Sequence, residues 1–117
     1  MNAGYYSNIT KITLYAVTNS LTAMLTNAII TAYCACTICC GPKATGLAAN
    51  GRPPVEGITV AGPRSLALGT KVRIDGRTYT VTDRTARRYD GRYDIFFQSH
   101  DAARRFGIRT NRVEILP

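Results

Sequence analysis

The hydrophobic positions near the start of the chain recur at the three- and four-residue spacing of a helix. They are Leu14, Val17, Leu21, Met24, Leu25 and Ala28. Polar Asn19, Thr22 and Thr26 fall on the opposite side, so the pattern predicts an amphipathic helix within residues 12–31. Its polar side chains make a membrane span costly and interrupt a signal sequence. We therefore expect a docking or oligomerisation helix first and an uncleaved export signal second.

From about residue 30 the pattern changes to short apolar runs separated by turn signals. The predicted strands cover residues 29–33, 57–61, 68–74, 77–82, 92–97 and 112–116. Asp75-Gly76 predicts a hairpin between the third and fourth strands. Ser99 and Gly107 are a suitable N-cap and stop for a short helix. The sequence thus predicts a mainly β protein: a small six-stranded closed barrel with one or two short helices, preceded by the N-terminal helix.

The length of the chain limits the number of domains, and its charge limits the kinds of partner. The 117 residues suit one domain, which we place at residues 30–117, after an N-terminal segment of residues 1–29. Residues 1–42 contain one charged side chain, Lys11, whereas residues 43–117 contain fourteen Lys/Arg and seven Asp/Glu. A basic surface predicts an anionic partner, which is nucleic acid, anionic lipid or an acidic wall polymer. No known nucleic-acid-binding motif is present, so we expect no nucleic-acid partner.

Four cysteines lie within seven residues: Cys34, Cys36, Cys39 and Cys40. Disulfide pairing in an oxidising compartment is the first interpretation, and free thiols are the second. A zinc site is the third and least favoured interpretation. The four cysteines form one short run, whereas structural zinc sites normally take ligands from two separated pairs. Adjacent Cys39 and Cys40 are also hard to place on one tetrahedron. We therefore expect disulfides, with no metal and no other cofactor.

Two carboxylates, Asp83 and Asp94, stand eleven positions apart, one at the end of an apolar run and one inside the next. Strand ends present reactive groups, and paired acids suit cleavage of a glycosidic bond. Alternation along the strand puts Asp94 on the same face as Phe96, where partial desolvation predicts a raised pKa. The plain alternatives are an Asp94 paired with Arg92 or Arg88 and an Asp83 that only forms a turn.

Several short motifs of residues 30–117 occur together in a fixed order. They are Thr31-Ala32-Tyr33-Cys34 with Cys36 and Cys39-Cys40-Gly41, then Ala44-Thr45-Gly46, Leu68-Gly69-Thr70-Lys71-Val72, Asp83, Gly91-Arg92-Tyr93-Asp94-Ile95-Phe96, and Ser99-His100 with Ala102 and Phe106-Gly107. In order and spacing, this region resembles the three-aspartate (3D) domain. The resemblance implies a double-psi β-barrel similar to the catalytic barrel of membrane-bound lytic transglycosylase A. It implies peptidoglycan glycan strands as the partner and cleavage of the β-1,4 bond between N-acetylmuramic acid and N-acetylglucosamine.

The resemblance also implies roles for particular residues. Asp94 matches the acid/base of the family, and Asp83 matches its partner aspartate. The place of the third aspartate is Gly62, and a basic run, Arg84-Thr85-Ala86-Arg87-Arg88, replaces the two glycines expected after the partner aspartate. We expect a lytic transglycosylase-like enzyme, with a non-catalytic peptidoglycan-binding or virion tail protein as the alternative. Either function predicts an extracytoplasmic or virion-associated protein, with a homo-oligomer or larger assembly formed through the N-terminal helix.

Further side chains are candidates for substrate binding around the two aspartates. They are Arg84, Arg88, Arg92, Tyr89, Thr45 and Thr82. Arginines there suit muramyl or stem-peptide carboxylates, and a basic loop that only aids solubility is the alternative. At the predicted helix start, we interpret Asp101 as a carboxylate favoured by the helix dipole. His100, the single histidine of the chain, is interpreted as a polar helix-start residue in preference to a base or ligand.

Overall fold

The computed structural model describes residues 23–117, which form a closed six-stranded barrel. The strands are β1 (Met24–Tyr33), β2 (Thr59–Gly62), β3 (Lys71–Ile74), β4 (Arg77–Arg84), β5 (Tyr93–Phe96) and β6 (Arg109–Ile115). Two short helices, α1 (Thr37–Cys40) and α2 (His100–Phe106), and a 3-10 helix (Arg87–Tyr89) lie between strands. The mainly β, six-stranded barrel predicted from the sequence is confirmed. Within the described residues, neither helix is long and apolar enough to cross a membrane.

The order around the barrel is β1-β5-β2-β4-β3-β6. The pairs β1/β5 and β2/β4 are parallel, and the other four pairs are antiparallel. The β3–β4 hairpin turns at Asp75 and Gly76, whose φ angles of 51° and 78° are the two positive values that a type I′ turn requires. The hairpin predicted from Asp75-Gly76 is therefore confirmed.

Alternating side chains from all six strands fill the barrel interior. The buried cluster consists of Ile30, Val60, Leu66, Val72, Ile74, Tyr79, Val81, Tyr93, Ile95, Val113 and Ile115. Its most deeply buried members are β-branched, and such side chains pack well on a pleated surface. The interior is thus a packed core, so a functional site has to lie at a barrel end or on the outside.

Strand β1 corrects the prediction at the start of the chain. Residues 24–31 belong to this strand, so the predicted amphipathic helix is wrong there, and its remaining part, residues 12–22, lies outside the described residues. The pairing of β1 with β6 begins at Met24 opposite Ile115, before the predicted domain start at residue 30. Hydrogen bonding to two neighbouring strands outweighs a helical spacing of apolar residues, especially in a stretch rich in Thr, Ile and Tyr.

Helix α2 agrees with the sequence prediction at both ends. The Ser99 hydroxyl accepts a hydrogen bond from the backbone N–H of Ala102 at 3.2 Å, and Gly107 forms the C-cap. The helix packs against β1. His100, its first residue, is thereby placed beside the segment that follows β1, where the cysteines lie.

Candidate active site

Strand order brings the two predicted catalytic aspartates to the same level of the sheet. Ala61 of β2 is paired with Asp83 of β4 on one side and with Asp94 of β5 on the other. Two strand spacings separate the acids, which places their Cα atoms about 10 Å apart. A register shift between Val60 and Ala61 interrupts the β2/β4 ladder at this point. Such irregularities are common next to active sites, where they redirect side chains.

Asp94 is half-buried, and its carboxyl has one direct side-chain donor among residues 23–117. The Thr31 hydroxyl donates a 3.0 Å hydrogen bond to its Oδ1. Burial raises the pKa of Asp94 to about 6, and the negative charge of Asp83 adds to this, whereas the Thr31 bond and the Arg92 charge lower the pKa. The raised pKa predicted from the strand pattern is thus found. A carboxyl with this pKa is protonated for a large part of the time in mildly acidic solution and can donate a proton.

An apolar cluster surrounds the strand ends at the site. Tyr33, Ala61 and Phe96 form this buried cluster, and the rings of Tyr33 and Phe96 pack edge to face at 5.5 Å between centroids. Tyr93 and Ile95 point into the barrel core instead. The predicted alternation of β5, with Asp94 and Phe96 on the face opposite Tyr93 and Ile95, agrees with this packing.

Within the described part of the chain, three donors hold Asp83. Its Oδ2 accepts a 2.6 Å hydrogen bond from the Tyr33 hydroxyl, and its Oδ1 accepts 2.9 Å bonds from the backbone N–H groups of Ala49 and Arg84. Burial, followed by the bond to Asp83, raises the pKa of Tyr33, so the phenol stays a donor. Donors of this kind fix the orientation of the carboxyl group. Asp83 is therefore a fixed negative charge inside β4 and does more than form a turn.

Tyr33 and Thr31 are site residues that the sequence analysis did not single out. Both lie on β1 with one residue between them, which places them on the same face of the strand. Their partners Asp83 and Asp94 lie 50 and 63 positions away in sequence. The alternation of side chains along a strand predicts that Thr31 and Tyr33 share a face. The strand order that brings Asp83 and Asp94 to that face cannot be read from the sequence.

A cleft of about 430 Å³ opens beside the two aspartates. This volume lies within the range of about 300–1,000 Å³ of typical ligand sites. Its walls mix acidic, basic and hydroxyl groups with small apolar residues. The polar side chains that line it include Tyr33, Lys43, Thr45, Arg84, Asp83 and Asp94. Two of the predicted substrate-binding residues, Thr45 and Arg84, thus lie at the cleft with both predicted catalytic residues.

Part of the hydrogen-bonding capacity of Thr45 and Arg84 is used within the protein. The Arg84 guanidinium donates a 2.8 Å bond to the carbonyl oxygen of Pro63, and the Thr45 hydroxyl accepts a 3.2 Å bond from the N–H of Leu47. These contacts fix the two side chains at the cleft wall. A positioned guanidinium still has donors left for a carboxylate of a ligand.

The other predicted substrate-binding residues lie elsewhere. The guanidinium groups of Arg88 and Arg92 stack on the Tyr89 ring, 4.9 and 4.6 Å from its centroid. The Thr82 hydroxyl donates to the Thr59 hydroxyl at 3.2 Å. None of these four residues is among the described residues that line the cleft. Arg92 still acts on the site through its charge, which lowers the pKa of Asp94.

Gly62 is a close-packing position. A Cβ atom on Gly62 would lie 2.9 Å from Cγ1 of Val81, a fully buried residue of β4. An aspartate there would collide with the barrel core. The absence of a third aspartate is therefore part of the packing between β2 and β4.

The cysteines are free thiols in the structure, and the expected disulfides are not formed among them. The sulfur atoms of Cys34 and Cys36 lie 3.0 Å apart, well beyond the S–S bond length of about 2.0 Å. The sulfurs of Cys34, Cys36 and Cys39 instead lie 3.5, 3.5 and 3.4 Å from Nδ1 of His100. The Cys40 thiol donates to the carbonyl oxygen of Cys34 at 3.2 Å. His100, interpreted from the sequence as a polar helix-start residue in preference to a ligand, reaches the thiols through the packing of α2 on β1.

No protein-family model matches the chain. The chain is similar to a protein of Bacillus subtilis (strain 168) named "Putative cell wall shaping protein YabE", with 32% identity over 106 residues. The match covers 89% of this chain and 26% of that protein, so the chain spans about a quarter of the length of this relative. The closed six-stranded barrel agrees with the barrel fold that the resemblance to the three-aspartate domain implies.

Proposed function

We propose that this chain is a three-aspartate-type barrel that cleaves peptidoglycan as a lytic transglycosylase, with Asp94 as its acid/base. The observation that supports this most is the Asp94 carboxyl, whose pKa burial raises to about 6, at a cleft that it shares with the anchored Asp83. Similarity to a protein named for cell wall shaping supports a cell-wall setting. The proposal places the protein outside the cytoplasm, on glycan strands.

In the proposed reaction one carboxyl acts twice. Protonated Asp94 donates its proton to the glycosidic oxygen, and the bond from that oxygen to the anomeric carbon of the muramyl residue breaks. The C6 hydroxyl oxygen of the same muramyl residue then bonds to the anomeric carbon, and its proton passes to the Asp94 carboxylate. This regenerates the acid and yields the 1,6-anhydro product. Because the sugar supplies the nucleophile, a second catalytic carboxyl is not needed, in contrast to ordinary glycosidases.

Asp83 supports this reaction through its charge. Held by the Tyr33 hydroxyl and two backbone N–H groups, it remains close enough to Asp94 to raise the pKa of that carboxyl. A fixed negative charge at the cleft also stabilises the positive charge that develops at the anomeric carbon. Arg84 and Lys43, on the cleft wall, suit the carboxylates of muramyl lactyl groups and stem peptides.

The test uses the full-length chain and purified peptidoglycan. Mass spectrometry of the soluble products should show anhydro-muropeptides with the wild type and at least about 100-fold less with Asp94→Asn, because a general acid contributes about 10²–10⁴-fold. Asp75→Asn is the matched control, since Asp75 is exposed in the type I′ turn, where Asn is equally suited. This control should keep wild-type activity.

Two outcomes contradict the proposal in different ways. Undiminished product from Asp94→Asn overturns the assignment of the acid/base. No product from the wild type, with the protein still retained on cell walls in a pulldown, overturns the enzymatic function and supports the alternative of a peptidoglycan-binding barrel.

A further inference from the structure

Three cysteine sulfurs and one histidine nitrogen meet beside the cleft. Among the described residues, the ligand atoms of Cys34, Cys36, Cys39 and His100 all lie within 4.8 Å of one another. Three thiols and one imidazole are a common ligand set of structural zinc sites. We propose that these four residues bind one zinc ion.

The distances from the histidine match the edges of a zinc tetrahedron. Zn–S and Zn–N bonds of about 2.3 and 2.0 Å place S and N about 3.5 Å apart and two S atoms about 3.8 Å apart. The His100 Nδ1 lies 3.5, 3.5 and 3.4 Å from the sulfurs of Cys34, Cys36 and Cys39. The Cys34 sulfur lies 3.6 Å from that of Cys39, close to the expected edge, and 3.0 Å from that of Cys36, which is shorter than the expected edge.

Hydrogen bonding alone does not account for this arrangement. A ring nitrogen of histidine makes one hydrogen bond, as donor or as acceptor, yet Nδ1 of His100 is almost equally distant from three sulfurs. Four ligand atoms grouped around one point are what a central cation requires. Thiolate and imidazole ligands in a four-coordinate set favour zinc over magnesium or calcium, which prefer oxygen.

The local backbone is built to present the thiols. Cys36 is the N-cap of α1, and its sulfur accepts a 3.5 Å hydrogen bond from the backbone N–H of Cys39. The Cys36-x-x-Cys39 spacing places both sulfurs at one end of this single turn, as in many zinc sites. Cys34 follows β1 directly, and His100 begins α2. The ion would therefore join the end of β1, helix α1 and helix α2 at one point.

This position gives the metal a structural role at the cleft. All four coordination positions are filled by protein ligands, which is typical of structural sites and leaves no open position for catalysis. Cys39 itself lines the cleft beside Asp83 and Asp94. Bound zinc would fix the cleft wall that follows α1, which includes Thr45. The inference is independent of the proposed reaction.

The remaining cysteine provides a matched control. Cys40 is adjacent to Cys39, but its thiol donates to the carbonyl oxygen of Cys34 and does not belong to the four-ligand group. Serine can make the same hydrogen bond. Cys40→Ser therefore removes a thiol from the cluster without removing a proposed ligand.

The full-length chain, expressed in zinc-supplemented medium and purified under reducing conditions without chelator, is examined by native mass spectrometry. We expect one zinc per chain in the wild type and in Cys40→Ser, and at least a tenfold lower zinc content in Cys39→Ser and His100→Ala. Wild-type protein stripped of zinc and loaded with cobalt should show the visible absorption of tetrahedral, thiolate-bound cobalt. This measurement does not depend on whether the variants fold.

Other results overturn the proposal. A wild-type chain that contains no zinc after purification and gives no tetrahedral cobalt spectrum does not have the site. Equal zinc loss from Cys40→Ser and His100→Ala shows that the ligand set is wrong. A disulfide between Cys34 and Cys36 or Cys39, trapped by alkylation of freshly lysed cells, shows that the cluster is a cystine instead.

Discussion

Asp94 combines burial with a negative neighbour, and both disfavour its ionised form. Burial raises the pKa from the ordinary value of 3.8 to about 6, with a further contribution from Asp83. The shift suits a general acid, whose pKa has to lie near the working pH. The same shift disfavours the fold at neutral pH, because the folded chain then contains an ionised group in an unfavourable setting. In the proposed reaction, the pKa that suits Asp94 as an acid is therefore one that lowers the stability of the fold at neutral pH.

We expect Asp94→Asn to be more stable than the wild type by about 1–3 kcal/mol near pH 7.5, because Asn removes the buried charge and keeps an acceptor for Thr31. The folded pKa lies above the unfolded one, so the folded state binds the proton more tightly. The contribution of Asp94 to stability is therefore fully present below about pH 4 and is lost as the pH rises through about 6. Urea unfolding of both proteins across this range measures the difference. The raised pKa is contradicted if the stability gain of Asp94→Asn over the wild type is no larger at neutral pH than at pH 4.

A residue of the candidate site can be predicted from the sequence when the signal for it lies close by in the chain. Asp83 and Asp94 could be found from the sequence, because spacing and strand alternation are local properties. The contacts of Tyr33 and His100 could not, since Tyr33 bonds to Asp83, 50 positions away, and His100 lies against Cys34, 66 positions away. Such contacts exist only once the strand order and the packing of α2 are known.

Strand β2 shows how tightly the elements around the site fit. All four of its residues are buried, and Gly62 leaves no space for a side chain against Val81. The β-branched side chain of Val81 is restricted at χ1 and cannot easily turn away. The contact between these two residues sets the spacing of β2 and β4 beside Ala61 and Asp83.

We expect Gly62→Ala to reduce the free energy of unfolding by about 1–3 kcal/mol through overpacking. Val81→Ala alone should also destabilise, because it leaves a cavity in the core. In the double variant the new methyl group occupies space that Val81 gave up, so the combined loss should be smaller than the sum of the single losses. Urea denaturation of the four proteins measures this coupling. If the loss in the double variant equals the sum of the two single losses, the Gly62–Val81 contact does not limit the packing of β2 on β4.

Most strands could be predicted from the sequence, but the first half of one strand was predicted as a helix. The β3–β4 hairpin and helix α2 were predictable because Asp75-Gly76 and the Ser99 N-cap are local chemical signals. The first half of β1 was misread as helix, since its apolar spacing fits both periods and only pairing with β6 decides between them. The 3-10 helix at Arg87–Tyr89 lies in a basic run without a distinctive pattern, so the sequence does not predict it.

In the whole barrel, the site depends on closure by strand β1. This strand pairs with β5 on one side and with β6 on the other, and it supplies Thr31 and Tyr33 to the two aspartates. An open sheet would leave β5 and β6 with free edges and remove both donors from the site. Strand β1 therefore both closes the barrel and positions the two donors of the site.

A comparison of two shortened chains tests this closure. Residues 23–117 contain all six strands, whereas residues 30–117 begin at the sequence-predicted domain boundary and lack the part of β1 that pairs with residues 110–115 of β6. We expect the longer fragment to unfold cooperatively and the shorter one to be unfolded or aggregated, because its β6 edge is exposed. Both fragments keep the three cysteines and His100, so the proposed zinc site does not distinguish them. Thermal unfolding followed by circular dichroism, with size-exclusion chromatography, gives the answer. A 30–117 fragment as stable as 23–117 would show that the barrel closes without the first half of β1.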